Sequence, residues 1–244
     1  MKKVFTIIMF LFLSALFVNA GEIKVTWYGH SCFLIEATDG TTLLTDPISM
    51  GAYKVPAAVK PDIVTVTHEH RDHNQVGSVS GNPIVLRGLK DGGEAYADIK
   101  KEVKGIKIYT VGSYHDKVKG EKRGLNAIFV YEMDGLRLVH LGDLGHCLTQ
   151  ESIKKIGDVD VLMIPVGGKY TICGDDADKV VSQLRPKVAV IPMHCKTDAA
   201  DFLPYSAADF VKGKKNVVKI SGNVYKIDPD NPPKTTQYVL MDYK

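Results

Sequence analysis

The chain has 244 residues, 45% of them hydrophobic and 24% charged, with 31 basic against 28 acidic side chains. That composition suits a globular protein with a substantial core and excludes a disordered or collagen-like chain. The near balance of charge gives no electrostatic reason to expect nucleic acid as a partner.

The first twenty residues stand apart. Lys2 and Lys3 precede an apolar run from Val4 to Val18, and Val18-Asn19-Ala20 leads into Gly21-Glu22. A basic start, a short apolar stretch and small residues at the cleavage positions predict a signal peptide over 1–20, cut after Ala20, and one domain over 21–244. The run is shorter than the roughly 20 apolar residues that span a bilayer, so no stable membrane anchor is expected after cleavage. The protein is therefore expected in the periplasm or outside the cell. Without Lys2 and Lys3 the mature chain carries 29 basic and 28 acidic side chains, a formal charge of +1.

Short apolar runs bounded by turn residues read as strands: "IKVTWYG" from Ile23, "CFLIEA" from Cys32, "TTLLTD" from Thr41, "DIVTVT" from Asp62 and "PIVL" from Pro83. Asp39-Gly40 marks a hairpin, and the opening reads as a β-meander. Further strands are expected at "IKIYTVG", "NAIFVYEM", "LRLVHLG", "VDVLMIPV", "VAVIPMH" and a last "YVLMDY", with Asp134-Gly135 as a second hairpin turn. Helices are expected from Gln150 to Ile156, from Asp175 to Leu184 before Pro186, and from Ser206 to Lys212 before Gly213. Strands come first, then strands and helices alternate, an α/β order.

Three of the eight histidines fall within "THEHRDH", as His68, His70 and His73, together with Asp72. Packed imidazoles and carboxylates without partners lose solvation, and a metal ion would compensate. In an extended segment residues two apart point to one side, so His68 and His70 can grip one ion, while Asp72 and His73 reach a second position beyond the turn. Other strands also run into ligand-type residues: His115, Asp143 and His194. The C-terminal ends of buried strands are where α/β proteins build sites.

Asp143 is the candidate for a carboxylate shared between two divalent ions, with His115 and His194 completing the two shells. Imidazole and carboxylate ligands suit two Zn2+ per chain, and also iron or manganese. None of Cys32, Cys147, Cys173 and Cys195 forms a C-x-x-C pair, so a cysteine-based zinc site is not expected. His30 and His146 are expected to orient ligands or touch substrate. His140, inside a strand, is expected to pack or hydrogen-bond. Lys169, Arg123 and Lys196 lie in loops near the motifs and are candidates for binding one phosphate. The loops from Gly88 to Lys104 and from Gly112 to Gly124 are expected to shape the pocket.

"THEHRDH" resembles the H-x-H-x-D-H signature of the metallo-β-lactamase-fold hydrolases, and "HLGDLGH" and "IPMH" resemble that superfamily's later Asp and His motifs. "WYGHSCFLIE", "LLTDP", "SYHD", "KRGLNAIFVYEMDGLRLVHLGD" and "IPVGGKYT" are similar to the branch containing ascorbate-6-phosphate lactonase-like proteins. The likeness covers nearly the whole mature chain. It implies a four-layer αββα sandwich with two metals at one edge between the sheets. His68, His70 and His115 would hold the first metal, Asp72, His73 and His194 the second, and Asp143 would bridge. Asp46 would be structural and His30 would lie at the rim, with Asp72 and Asp143 as the residues expected to carry catalysis.

The implied activity is hydrolysis of an ester, lactone or related bond in a small-molecule substrate by a bridging hydroxide. A phosphodiesterase acting on a small phosphodiester is the alternative, as is a non-hydrolytic iron- or metal-binding protein of the same fold. Cys195 follows the last ligand and Cys147 follows His146, so a disulfide or an oxidation-sensitive thiol beside the site is a further expectation.

Overall fold

The alternating apolar residues of the opening segments fix the first sheet. In the computed structural model, which describes residues 21–244, β1 (Ile23–Trp27), β2 (Phe33–Glu36) and β3 (Thr42–Thr45) form an antiparallel meander. The expected signal peptide over 1–20 lies outside the described residues. Ile23, Val25, Trp27, Phe33 and Ile35 are buried along one face of β1 and β2, at the spacing of two that a pleated strand requires. A two-stranded ribbon of β4 (Ser49–Met50) and β5 (Tyr53–Lys54) follows.

The meander then stops, which corrects the expectation for the opening: β6 (Ile63–Val66) and β7 (Ile84–Arg87) run parallel to β3. Parallel neighbours need a crossover rather than a hairpin. The crossover from β6 to β7 carries the histidine run, so the departure from the meander is what places those side chains at a strand's C-terminal end.

A second ribbon, β8 (Leu89–Lys90) with β9 (Ala95–Tyr96), leads into β10 (Lys100–Val103), β11 (Ile106–Tyr114), β12 (Leu125–Met133), β13 (Leu136–His140), β14 (Val161–Pro165) and β15 (Ala189–Met193). The chain finishes with β16 (Val217–Lys219), β17 (Val224–Ile227) and β18 (Gln237–Leu240). One sheet has the order β17-β1-β2-β3-β6-β7, and the other β10-β11-β12-β13-β14-β15-β18-β16. Strand β10 escaped the sequence reading because "KKEV" is charged and almost wholly exposed, an edge strand without apolar alternation.

Helices α1 (Gln150–Ile156), α2 (Gly174–Leu184) and α3 (Ala207–Val211) lie where expected, within a residue at each end. Thr149 caps α1 by accepting from Ser152 N, and Ser206 with Asp209 forms a capping box at α3. Among the described residues no helix is long and apolar enough to cross a membrane.

The sheets face one another across a core that includes Phe33, Leu43, Ile63, Phe129 and Leu138. Burying each such side chain contributes about 1.5–3 kcal/mol. Leu44, Val64 and Val66 point the other way, into a smaller cluster with Ile48, Tyr53, Ala200 and Leu203. Strands β3 and β6 are thus covered on both faces, as expected of an α/β sandwich. Hydrogen bonds also join the sheets: Thr65 Oγ1 to Tyr131 Oη at 2.8 Å, and Tyr225 Oη donating to Gln237 Oε1 at 2.9 Å.

Strands β11 and β13 both run antiparallel to β12, and β13, β14 and β15 are mutually parallel. Their C-terminal ends therefore share one edge, where they meet the ends of β3 and β6 from the other sheet.

Candidate metal centre

Asp46 follows β3, His68 to His73 follow β6, His115 follows β11, Asp143 follows β13 and His194 follows β15. The Asp143 carboxylate is the centre of the cluster. Its Oδ2 lies 3.1 Å from His115 Nε2, 3.1 Å from His194 Nε2, 3.3 Å from His73 Nε2 and 4.0 Å from His68 Nε2. Asn126 holds this loop: its Oδ1 accepts from Asp143 N at 2.9 Å while its Nδ2 donates to Ser113 Oγ and Leu141 O. Burial works against the Asp143 carboxylate's charge, but His194, His73 and His115 outweigh it and hold its pKa well below the usual range.

Asp46 sets the tautomers of two histidines. Fully buried, it accepts from Thr67 N at 2.7 Å, from Thr67 Oγ1 at 2.7 Å and from His73 Nδ1 at 2.8 Å. The single Thr67 hydroxyl proton goes to the carboxylate, so Thr67 Oγ1 can only accept from His68 Nδ1, 3.0 Å away. Both His68 and His73 then carry the proton on Nδ1 and offer the Nε2 lone pair to the cluster. This carboxylate-to-imidazole arrangement is the outer support that metal-ligating histidines use.

Potential ligand atoms fall into groups within 4.8 Å of one another: His68, His70 and His115 in one, and His30, Asp72, His73 and His194 in another. His68 Nε2 and His70 Nδ1 are 3.1 Å apart. Ligands about 2.0–2.1 Å from a tetrahedral zinc sit about 3.3 Å from each other, which this spacing suits. Among the described residues, His73 Nε2 and Asp143 Oδ1 are buried without a hydrogen-bond partner. Imidazole nitrogens and carboxylate oxygens gathered within 4.8 Å of one another are the donor set a divalent ion takes, so the residues fit metal.

His30, placed at the rim by the sequence reading, is instead buried within the second group. Its Nε2 is 3.1 Å from Asp72 Oδ2, and its ring centroid is 3.9 Å from that of His194. Its backbone is left-handed at φ 52° after Gly29 at φ 98°, where any Cβ would run into the Tyr53 ring, so a glycine is required before it. Burial and then His194 push the His30 pKa down to about 4. For Asp72, burial is overcome by the His30 bond and His73, which keep the half-buried carboxylate ionised. For His73 burial is likewise overcome, by Asp143 and Asp46, which raise its pKa well above the ordinary value and favour a second proton on Nε2, the proton a bound ion would displace to take the lone pair.

Several expected residues lie elsewhere. His146 accepts from Tyr114 N at 3.1 Å and donates to Cys147 O at 2.7 Å, so it reaches the cluster only through the backbone next to His115. His140 is bonded to Ser31 O and Gly142 N, as expected of a strand histidine. Lys196 borders Ser206 and lines no part of the cluster's cavity, and neither does the segment from Gly88 to Lys104. All four cysteines are free, and Cys195 is buried with its thiol pushed up to about 12, which corrects the expectation of a disulfide or reactive thiol at the site.

The cluster opens into a cavity of about 340 Å³ lined by His70, Asp72, His115, Asp143 and His194 on one side and Arg123, Tyr170 and Phe202 on the other. The aromatic wall was not expected from the sequence: Tyr170 lies in "IPVGGKYT" without a role of its own, and Phe202 is 32 positions further along the chain.

The sequence pattern of the β-lactamase superfamily domain matches residues 24–194, from β1 through the last histidine of the cluster. The chain belongs to that superfamily. It is similar to the UPF0173 metal-dependent hydrolase of Thermoplasma acidophilum, at 32% identity over 193 residues covering 72% of this chain and 84% of that one. It is also similar to a UPF0173 metal-dependent hydrolase of Archaeoglobus fulgidus, at 31% identity covering 71% and 84%. A crystal structure from Thermotoga maritima, assigned as a Zn-dependent hydrolase of the metallo-β-lactamase superfamily, superposes with a TM-score of 0.73 at 36% identity, covering 90% of this chain and 98% of that one. These relatives make the protein a metal-dependent hydrolase of the metallo-β-lactamase fold, and the names they carry are not those of lactonases.

Proposed function

We propose that this superfamily member is an exported hydrolase that binds two zinc ions and cleaves an ester, lactone or related bond in a small molecule. The observation that carries the reading is the convergence of six histidines and Asp72 into two ligand groups, with Asp143 Oδ2 between them. His68, His70 and His115 would hold one ion, Asp72, His73 and His194 the other, and Asp143 both, with iron or manganese as substitutes. Bound there, the ions would supply a hydroxide at neutral pH and polarise the scissile bond.

The chain's own residues do the rest. Asp46 keeps His68 and His73 in the ligating tautomer, and the Asp72 carboxylate, ionised and 3.1 Å from His30, is placed to take and return a proton at the cavity wall. Tyr170 and Phe202 hold an apolar part of the substrate and exclude water from one side. Export is supported by the basic and apolar pattern of residues 1–20. A small-molecule substrate rather than nucleic acid fits the mature charge of +1 and a cavity of about 340 Å³.

The test is a panel of p-nitrophenyl esters, lactones and bis(p-nitrophenyl) phosphate with the zinc-reconstituted protein. Cleavage of esters or lactones that is lost in Asp72→Ala and Asp143→Ala supports the reading. Cleavage of the phosphodiester alone would favour a phosphodiesterase, and retention in both variants would refute the assigned roles.

A further inference from the structure

The cavity of the cluster adjoins a recess of about 240 Å³, and the two share Arg123 and Tyr170. The recess is also lined by Asp116, Lys117, Lys122 and Lys169. We infer that this recess is an anion subsite, so that the substrate carries a carboxylate or phosphate group a few atoms from the bond that is cleaved. The inference rests on the hydrolase reading only for its place beside the reacting centre.

The charges leave an excess of positive side chains. Asp116 is buried and its carboxylate is consumed locally: Oδ1 accepts from the backbone N–H groups of Val118 and Gly120, and Oδ2 from those of Lys122 and Arg123. Lys117 is paired with Asp176 at 2.6 Å. Lys122, Arg123 and Lys169 make no ion pair among the described residues, so with only the Asp116 carboxylate against them the recess keeps a net positive charge. Three cations at one concavity attract an anion and cost their own repulsion without one.

The geometry is held rather than merely solvated. Asp116 acts as the hub of the hairpin loop between β11 and β12, the loop that delivers both His115 and Arg123. Arg123 donates from Nη2 to Lys169 O at 3.2 Å, and its guanidinium lies 5.3 Å from the centroid of the Tyr170 ring. Lys169 Nζ lies 5.1 Å from the same ring and 5.9 Å from that of Phe202. Pinned by one hydrogen bond and one ring, the Arg123 fork keeps donors for a carboxylate or phosphate. Lys169 has a left-handed backbone, φ 61°, next to Gly168 at φ 69°. A glycine would sit there with less strain, so Lys169→Gly removes the ammonium without straining the backbone.

The experiment compares two esters of equal length with the zinc-reconstituted protein: p-nitrophenyl hydrogen glutarate, which has a free carboxylate, and neutral p-nitrophenyl valerate. The wild type should favour the glutarate ester by about tenfold in kcat/KM, mostly through KM, and lose the preference as salt rises. Lys169→Gly and Arg123→Gln should each cut the preference by about tenfold, and Lys169→Gly should do so without loss of thermal stability. A preference that survives both substitutions overturns the inference.

If the wild type cleaves neither ester, the ester-hydrolase reading fails and the subsite is judged by calorimetric binding of glutarate and of inorganic phosphate. Affinity about tenfold weaker in Arg123→Gln for either anion supports the subsite, and the anion that loses more is the one it takes. Equal affinity in wild type and variant for both overturns it.

Discussion

Asp46 and His73, 27 positions apart, are joined by a 2.8 Å hydrogen bond between two fully buried side chains, and two histidines of the cluster are oriented from that carboxylate. The carboxylate fixes the proton on His73 Nδ1 and, through the Thr67 hydroxyl, on His68 Nδ1.

Asp46→Asn should therefore weaken metal binding without removing a ligand. An amide at this position turns one acceptor oxygen into a donor, which faces the N–H of Thr67 or the protons of Thr67 Oγ1 and His73 Nδ1. The affinity for zinc should fall by about 10–100-fold, read by competition with a chromogenic chelator. Unchanged affinity would show that the carboxylate does not set the tautomers.

Much of the candidate site was legible because the side chains that can hold a metal are few in kind wherever they fall. His68, His70, Asp72, His73, His115, Asp143 and His194 could each be named from a strand end. What supports them could not, because Thr67 and Asn126 are ordinary polar residues whose meaning comes from contacts made 21 and 17 positions away. His30 was misplaced for a related reason: its left-handed backbone turns an apparent rim residue inward. In the fold, apolar runs bounded by turn residues located the buried strands, whereas direction was invisible, since β6 looks the same in sequence whether it runs parallel or antiparallel to β3. Strand β10 lacked such a run.

Tyr225 links the sheets and should mark the alkaline limit of stability. Burial pushes its phenol up to about 12 from 10.0, so the folded state keeps a proton that the unfolded chain releases. The stabilisation is complete below pH 10 and is lost as pH rises towards 12. Tyr225→Phe should flatten part of that loss. At neutral pH it should cost about 1 kcal/mol for the bond to Gln237, lowering Tm by about 2–4 °C. An unaltered alkaline melting profile in the variant would contradict this account.

The cysteines should behave as structural groups. Cys32 and Cys195 are buried, and burial raises both thiols, Cys195 to about 12, so at pH 8 neither has the thiolate that reacts. Iodoacetamide followed by peptide mass mapping should leave both unmodified in the native protein and modify all four after unfolding. Modification of Cys195 in the folded protein would restore the idea of a reactive thiol at the site.

Asp143, shared between two groups of ligands, should let the chain hold two ions. Elemental analysis of the protein purified without chelator and reconstituted with zinc measures this most directly. Two zinc ions per chain, falling to one or fewer in Asp143→Ala, is the predicted result. No more than one ion in the wild type, or two retained in Asp143→Ala, would contradict the assignment.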